Sequence, residues 1–140
     1  MLTLTQLIDQ ALAELQDEDG IRWPRAELLG YFNAGQRALA QQRPDQFVQA
    51  TDLTLQAGSR QSLPPECLAL MDMTHNVTPR QSAISKTSEP LLSASAPNWR
   101  SARDANAVVH FMHTLNDPRT FLVYPPVAAG VVVHALVASL

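Results

Sequence analysis

The fold class is decided by residues 41–55, QQRPDQFVQATDLTL, where the chain changes from helical to extended character. Pro44 ends the helical pattern, because proline lacks a backbone donor and forces the residue before it toward extended geometry. Beyond it, Phe47, Leu53 and Leu55 fall on one face of a segment with period-two alternation. The sequence therefore predicts an α+β fold. A helical hairpin over residues 1–44 is packed, as one structural unit, with an antiparallel β region over residues 45–140.

Two helical patterns precede Pro44, and a short acidic loop separates them. Apolar residues recur at the spacing of one helix face over residues 4–17, and Thr3 with Gln6 can form a capping box at its start. Pro24 can begin the second helix, since its missing N–H costs nothing at the first helical position. Trp23 is expected to pack onto the hairpin. The expected core residues of the second helix are Leu28, Phe32 and Leu39.

The β region is predicted from runs of β-branched and apolar residues between turn signals. Residues 57–60 are expected to form the turn of a hairpin that joins the first two strands. Residues 116–119 fit a type I turn, and the consecutive prolines 125–126 are expected to end the strand that follows it. The other predicted strands cover residues 61–63, 67–74, 107–114, 120–124 and 131–140.

Residues 75–104 are rich in small and polar residues and carry few large apolar anchors. Loops of this length are uncommon inside a compact domain, so we expect a long extended arm with one short helix near Leu91 or Trp99. The apolar run at 131–140 would be an aggregation hazard as a free sheet edge. Either a partner covers it or the natural chain continues beyond Leu140, and the second explanation is favoured.

Composition excludes several classes of function. The 140 residues carry 10 basic and 13 acidic side chains, for a net charge of −3, which argues against a protein that wraps nucleic acid. A single cysteine excludes a disulfide framework and a cysteine-rich zinc site. No apolar run reaches the roughly 20 residues of a membrane span, and the start lacks a signal peptide's basic region.

Candidate catalytic and metal-binding residues are few. His110 and His113 stand three apart, which on a strand places them on opposite faces, so we interpret them as ordinary sheet residues. Cys67 follows Glu66 and apolar residues flank it, which favours a buried structural thiol over a nucleophile. The five glycines form no phosphate loop. We therefore expect no catalytic residue, no metal and no cofactor.

One cluster is a candidate binding surface. Arg100 and Arg103 flank Trp99, a grouping that could stack on nucleic acid bases or anchor a protein interface. The net negative charge favours the protein interface. On this hypothesis Trp99→Ala would leave the monomer folded and weaken assembly. The predicted partner-binding residues are Trp99, Arg100, Arg103, Leu91 and Leu92.

The order of these segments resembles the head-to-tail adaptor (connector) proteins of tailed bacteriophages. The resemblance covers most of the chain and rests on structural segments rather than a catalytic signature. Those segments are an N-terminal amphipathic helix, residues 23–24 leading into 28–37, and residues 43–45, 55–64 and 117–126. Members of this family usually carry further helical sequence after the last strand, and none follows Leu140 here.

The resemblance implies a structural virion protein that is not an enzyme. Such adaptors form a ring, usually of twelve copies, between the portal protein and the tail tube or nozzle proteins, and they line the channel through which DNA leaves the head. DNA would pass without sequence-specific binding, and no membrane would be involved. The implied location is the phage neck, after synthesis in the host bacterial cytoplasm, with a role in viral genome ejection.

The sequence alone leaves two other functions open. A small β-rich binding module, of a tail or secreted protein, could recognise a carbohydrate or protein ligand with Trp99 and Tyr124 as its platform, although aromatic residues make up only 6% of the chain. A metal hydrolase could use His110 and His113. A stoichiometric metal in the purified protein would favour the hydrolase.

Overall fold

A computed structural model describes all residues from 1 to 140, and the chain divides into two compact units, Met1–Leu39 and Ala40–Leu140. The predicted α+β fold class is confirmed. The helices are α1 (Leu4–Glu14), α2 (Arg25–Gln42) and α3 (Glu89–Ser95). The strands are β1 (Val48–Thr54), β2 (Gly58–Ser62), β3 (Cys67–Thr78), β4 (Ser85–Lys86), β5 (His110–His113), β6 (Thr120–Val127) and β7 (Val132–Ser139). None of the helices combines the length and the apolarity that crossing a membrane requires.

The first unit is the predicted pair of helices. The capping box at the start of α1 is present, with Thr3 Oγ1 accepting from the Gln6 N–H at 3.3 Å and Gln6 Oε1 accepting from the Thr3 N–H at 2.8 Å. A small core holds this unit together, and Trp23 packs against it as expected. Its residues are Ile8, Leu12 and Leu28, with the half-buried Trp23 and Phe32.

The expectation that Leu39 belongs to this core was wrong, because its side chain is 50% exposed. The physical reason is the unequal length of the helices, 11 residues in α1 against 18 in α2. At about 1.5 Å per residue, α1 is too short to cover both ends of α2. Leu28 and Phe32 lie within its reach, whereas Leu39 lies two turns farther along α2.

The second unit consists of two sheets that share one core. Sheet A has the strand order β1-β7-β3, and sheet B has the order β2-β6-β5-β4. Buried side chains from both sheets meet in a single cluster, including Leu53 and Val133 from sheet A and Phe111, Phe121 and Val123 from sheet B. Burial of such apolar side chains is the main source of stability in a fold of this kind.

The apolar run near the C-terminus forms the centre of sheet A rather than a free edge. β7 pairs antiparallel with β1, from Val48↔Ala138 to Thr54↔Val132, and pairs antiparallel with β3 on its other side. Both of its edges are therefore covered within the chain. The premise of both explanations, a free apolar edge, was therefore wrong, because the run is apolar as expected for a central strand.

The hairpin predicted around residues 57–60 was wrong. β1 pairs with β7 in sheet A, whereas β2 pairs with β6 in sheet B, so the turn carries the chain from one sheet to the other. The buried Gln61 holds this corner: its Oε1 accepts from the Gln56 N–H at 2.9 Å, and its Nε2 donates to the Gln56 carbonyl at 2.7 Å and the Gly58 carbonyl at 3.1 Å. Gly58 adopts a φ of 107°, which favours glycine.

β6 continues through its two prolines, although they were expected to end it. A proline in a strand is tolerated where no neighbour requires its missing N–H. β5 begins at His110, opposite Tyr124, and the register with β2 shifts between Gly58 and Arg60. Pro125 and Pro126 therefore pair with neither strand. The strand therefore extends to Val127 without losing a ladder hydrogen bond at the prolines.

β3 is a 12-residue strand that pairs with only eight residues of β7, and repeated bulges absorb the difference. Each bulge adds a residue to one strand and shifts the face that the next residue occupies. Burial along β3 consequently recurs every third residue instead of every second. The buried positions are Cys67, Leu70, Met73 and Asn76.

The segment 75–104 is more ordered than the predicted extended arm. It contains the end of β3, the bridge between His75 and Ala83, the short strand β4, the helix α3 and a 3-10 helix at Trp99–Ser101. The expectation of a short helix near Leu91 is confirmed by α3. β4 contributes a parallel pair with β5, with Ser85 opposite His110.

Asn76 links this segment to Val108, two residues before β5 begins. Its side chain has no exposed surface, and it donates to the Val108 carbonyl at 2.7 Å and to Ser82 Oγ at 2.9 Å. Its Oδ1 accepts from the Val108 N–H at 2.8 Å. One amide therefore satisfies backbone groups that would otherwise be buried without partners.

We expect Asn76→Ala to lower the free energy of unfolding by about 2–4 kcal/mol, because it leaves the Val108 backbone groups unpaired in the interior. Urea denaturation of both proteins measures the difference. The matched control is Asn106→Ala, since Asn106 is exposed and makes no side-chain hydrogen bond. If the two variants lose equal stability, the hydrogen bonds of Asn76 to the Val108 backbone do not stabilise the fold.

Candidate partner-binding surface

The outer face of sheet B is covered by α3 and the 3-10 helix that follows it. Met112 and Leu122 pair across β5 and β6 with their side chains on the side away from the shared core. Leu92 and Trp99 pack onto them, and the Trp99 Nε1 donates to Ser93 Oγ at 3.2 Å. This small second core holds α3 and the 3-10 helix, which carry the predicted surface residues Leu91, Leu92, Trp99 and Arg100.

The structure corrects the expected exposure of Trp99 and Leu92. Their side chains are 1% and 5% exposed, because both close the second core. The Arg100 guanidinium lies 4.4 Å from the centre of the Trp99 ring and also forms an ion pair with Glu89. The ring is thus occupied within the chain, which excludes it as a platform for bases or sugars in this structure.

The other residues of the predicted surface are exposed. Leu91 is 64% exposed on the outer side of α3, and Arg100 and Arg103 are exposed as well. Tyr124, the second aromatic residue of the carbohydrate hypothesis, is half-buried against the second core. Binding of a partner through Leu91, Arg100 and Arg103 stays a prediction.

Beside α3, the outer face of sheet B opens into a groove with a volume of about 940 Å³. We call it the sheet B groove. β2 and β6 form one side of it, the turn after β5 closes one end, and the chain entering α3 forms the other side. Its main lining residues are Arg60, Lys86, Pro90, Leu115, Asp117 and Leu122.

The sheet B groove is mostly apolar with positive charge at its rim. Leu122 and Pro90 supply apolar surface, and Leu115 is fully exposed at the mouth. Arg60 and Lys86 form no ion pair in the structure, whereas Arg100 is paired with Glu89. An apolar surface with unpaired cations at its edge is suited to an occupant that is apolar and acidic.

Asp117 fixes the turn at the mouth of the groove. Its carboxylate accepts from the Thr120 hydroxyl at 2.7 Å and from the Arg119 N–H at 2.9 Å. The hydrogen bond from Thr120 is the main cause that lowers the pKa of Asp117, followed by the backbone bond and the nearby guanidinium groups of Arg119 and Arg60. The carboxylate is therefore charged at neutral pH, and it orders residues 117–120.

The histidines of β5 have ordinary structural partners. His110 Nδ1 lies 2.7 Å from Ser85 Oγ, and His113 Nε2 lies 2.9 Å from the Leu70 carbonyl oxygen. Cys67 is buried as predicted, and that burial raises the pKa of its thiol. No group of three or more histidine, cysteine, aspartate or glutamate side chains is arranged to hold a metal ion.

The sequence analysis missed two features. Asp52, His134 and His75 form a row across the outer face of sheet A, with His134 Nδ1 2.7 Å from Asp52 Oδ1 and the two imidazole rings stacked at 5.0 Å. The sheet B groove was missed as well. Both assemble residues far apart in sequence, and no local pattern in one chain indicates such pairings.

Comparison with known families identifies the class of this protein. The family model described as SU10 adaptor protein matches residues 2–139, which is nearly the whole chain. The chain therefore belongs to the SU10 adaptor protein family, and the predicted resemblance to phage head-to-tail adaptors is confirmed. It is a structural adaptor of a bacteriophage virion, associated with other proteins of the neck. No curated protein matches the sequence.

Because Trp99 closes the second core, we expect Trp99→Ala to cost about 3–5 kcal/mol of unfolding free energy. Leu91→Ala, eight positions earlier and mostly exposed, is the control and should change stability by no more than about 0.5 kcal/mol. Thermal and urea denaturation compare the two. If Trp99→Ala is as stable as the unaltered protein, Trp99 does not close a core, and the expectation that it acts only in assembly would stand.

Asp117 predicts a pH dependence of stability. Since its pKa is lowered by folding, its carboxylate stabilises the folded state above the ordinary value of 3.8, and this contribution is lost as pH falls through the lower folded-state value. Asp117→Asn should therefore be less stable than the unaltered protein at pH 7, and the gap should narrow below pH 3.8. Urea midpoints from pH 7 to pH 2.5 measure it. A stability difference between the two proteins that stays constant from pH 7 to pH 2.5 would show that the Asp117 carboxylate does not stabilise the fold.

Proposed function

We propose that the protein is the subunit of a ring, of about twelve copies, that joins the portal to the tail of a phage particle and surrounds the path of the exiting DNA. The observation that carries this proposal is the family match over residues 2–139. A ring of identical subunits needs two different complementary faces on each copy and no reactive group. The protein acts through shape and contact surface, and we propose no enzymatic activity.

The distribution of exposed apolar residues supports assembly through the helical unit. Eight of the thirteen large hydrophobic residues that are exposed lie within Met1–Leu39. Contiguous exposed apolar surface marks protein interfaces, and we propose that these residues supply such a surface. The eight residues are Met1, Leu2, Leu4, Leu15, Ile21, Leu29, Tyr31 and Leu39.

The charge of the chain suits a passage for DNA. A protein that neutralises many phosphates binds DNA tightly, because each contact releases counterions. With a net charge of −3, the subunit has no surplus of cations for such binding. A ring of these subunits would let the double helix slide without holding it, in keeping with a role in genome ejection.

We further propose that the portal and the tail tube or nozzle proteins are the neighbours of the ring. Neck adaptors of a ring type contact a different protein on each side, so the two ends of the subunit serve different partners. The exposed residues Leu91, Arg100 and Arg103 are candidates for one of these contacts.

A stop codon in the gene of the phage that encodes this protein tests the function. Replacing the codon for Glu14 should give DNA-filled heads without tails, visible by electron microscopy, and a large loss of infectious particles. Growth in a host that suppresses the stop codon is the matched control and should restore tailed particles. Tailed, infectious particles that lack the protein would overturn the proposal.

A further inference from the structure

We propose that the sheet B groove binds the loop between α1 and α2 of a second copy of this chain. We call this loop, residues 17–22, the acidic loop. The inference rests on the ring proposed above and names one contact that would hold adjacent subunits together. Each copy carries one groove and one acidic loop, so the contact is head-to-tail and can repeat around a closed ring.

The acidic loop has a fixed shape. The Asp17 carboxylate accepts three backbone hydrogen bonds, from Ile21 at 3.0 Å, Arg22 at 2.9 Å and Trp23 at 2.7 Å. Gly20 adopts a φ of 65° and donates to the Asp17 carbonyl at 2.8 Å. Because the loop is ordered before binding, little conformational entropy is lost when it docks.

The loop presents one apolar side chain beside two carboxylates. Ile21 is 84% exposed in this ordered turn. Glu18 and Asp19 are exposed, and neither forms an ion pair within the chain. With Asp17, these carboxylates outnumber the one cation of the loop, Arg22, so the loop combines an exposed apolar side chain with a net negative charge.

The sheet B groove has the complementary arrangement. Its apolar lining, including Leu122 and Leu115, can cover Ile21, and the unpaired Arg60 and Lys86 can meet Glu18 and Asp19. The volume of about 940 Å³ accommodates a short loop. Arg60 and Lys86 form no ion pair, although the Asp117 carboxylate lies near Arg60. This limited positive charge favours the peptide over a nucleic acid, which would require a longer run of positive charge.

Charge reversal on either side tests the contact. The groove variant is Arg60→Glu with Lys86→Glu, and the loop variant is Glu18→Lys with Asp19→Lys. Each should raise the protein concentration needed for ring formation roughly tenfold, because attraction becomes repulsion at every subunit contact. The chain that carries all four substitutions should recover ring formation. Native mass spectrometry and negative-stain imaging count the rings, with and without the portal protein.

The matched control is Arg37→Glu with Arg80→Glu, which changes net charge as much as the groove variant at two exposed residues outside the groove. Ring formation equal to the control in both reversal variants would overturn the groove contact and leave the proposed function intact. A defect in the groove variant alone would assign the groove to another acidic partner and overturn the second-copy contact. Failure of the unaltered protein to form rings under any condition would overturn the proposed function and this contact with it.

A crosslinking measurement covers the case in which a reversed variant fails to fold. Asp19→Cys and Asn116→Cys are made in separate chains, both at exposed positions, while Cys67 stays buried. After mixing and mild oxidation of assembled rings, we expect a disulfide that joins one chain of each kind. The control is a mixture of Asp19→Cys with Asn106→Cys, because position 106 lies outside the groove. Equal crosslinking in the two mixtures would contradict the proposal.

Discussion

β7 lies in the middle of sheet A, and both of its neighbours depend on it for backbone hydrogen bonds. β1 and β3 each pair with β7 and not with one another, so this sheet exists only when the last strand of the chain is in place. The core between the two sheets depends on the same strand, since Val133, Ala135 and Val137 point into it. Pairing of residues so distant in sequence is entropically costly, and this predicts slow folding for the unit.

The binding surface is built outward from this core. Sheet B supplies buried residues on its inner face and receives Leu92 and Trp99 on its outer face. Asn76 ties the end of β3 to Ser82 and to Val108, just before β5. The groove is the part of the outer face that α3 leaves uncovered. Its position thus follows from the packing of one short helix.

Local patterns in the sequence were sufficient for the features that depend on neighbouring residues. The capping box at Thr3, the break at Pro44 and the burial of Cys67 were all predicted, because each depends on spacing or immediate context. The position of α3 near Leu91 was predicted for the same reason. Together with the order of the segments, this was enough to identify the α+β class and the family.

Features that depend on distant partners were not predictable. Residues 57–60 look like a hairpin turn, and only the pairing of β1 with β7 shows that the chain changes sheets there. The repeated bulges of β3 replace the period of two with a period of three, so a pattern-based assignment of its faces fails. Trp99 beside two arginines suggests a surface site, but Met112, which packs against it, lies on β5.

The function proposed for this protein depends on contacts between folded surfaces in the phage neck. Cryo-electron microscopy of intact virions tests this most directly, because the β sandwich with its flanking helix α3 is distinctive enough to fit into density. The predicted result is a closed ring of this fold between portal and tail, with the DNA path through its centre. A neck in which the fold occurs as isolated copies, or does not occur, would contradict the account.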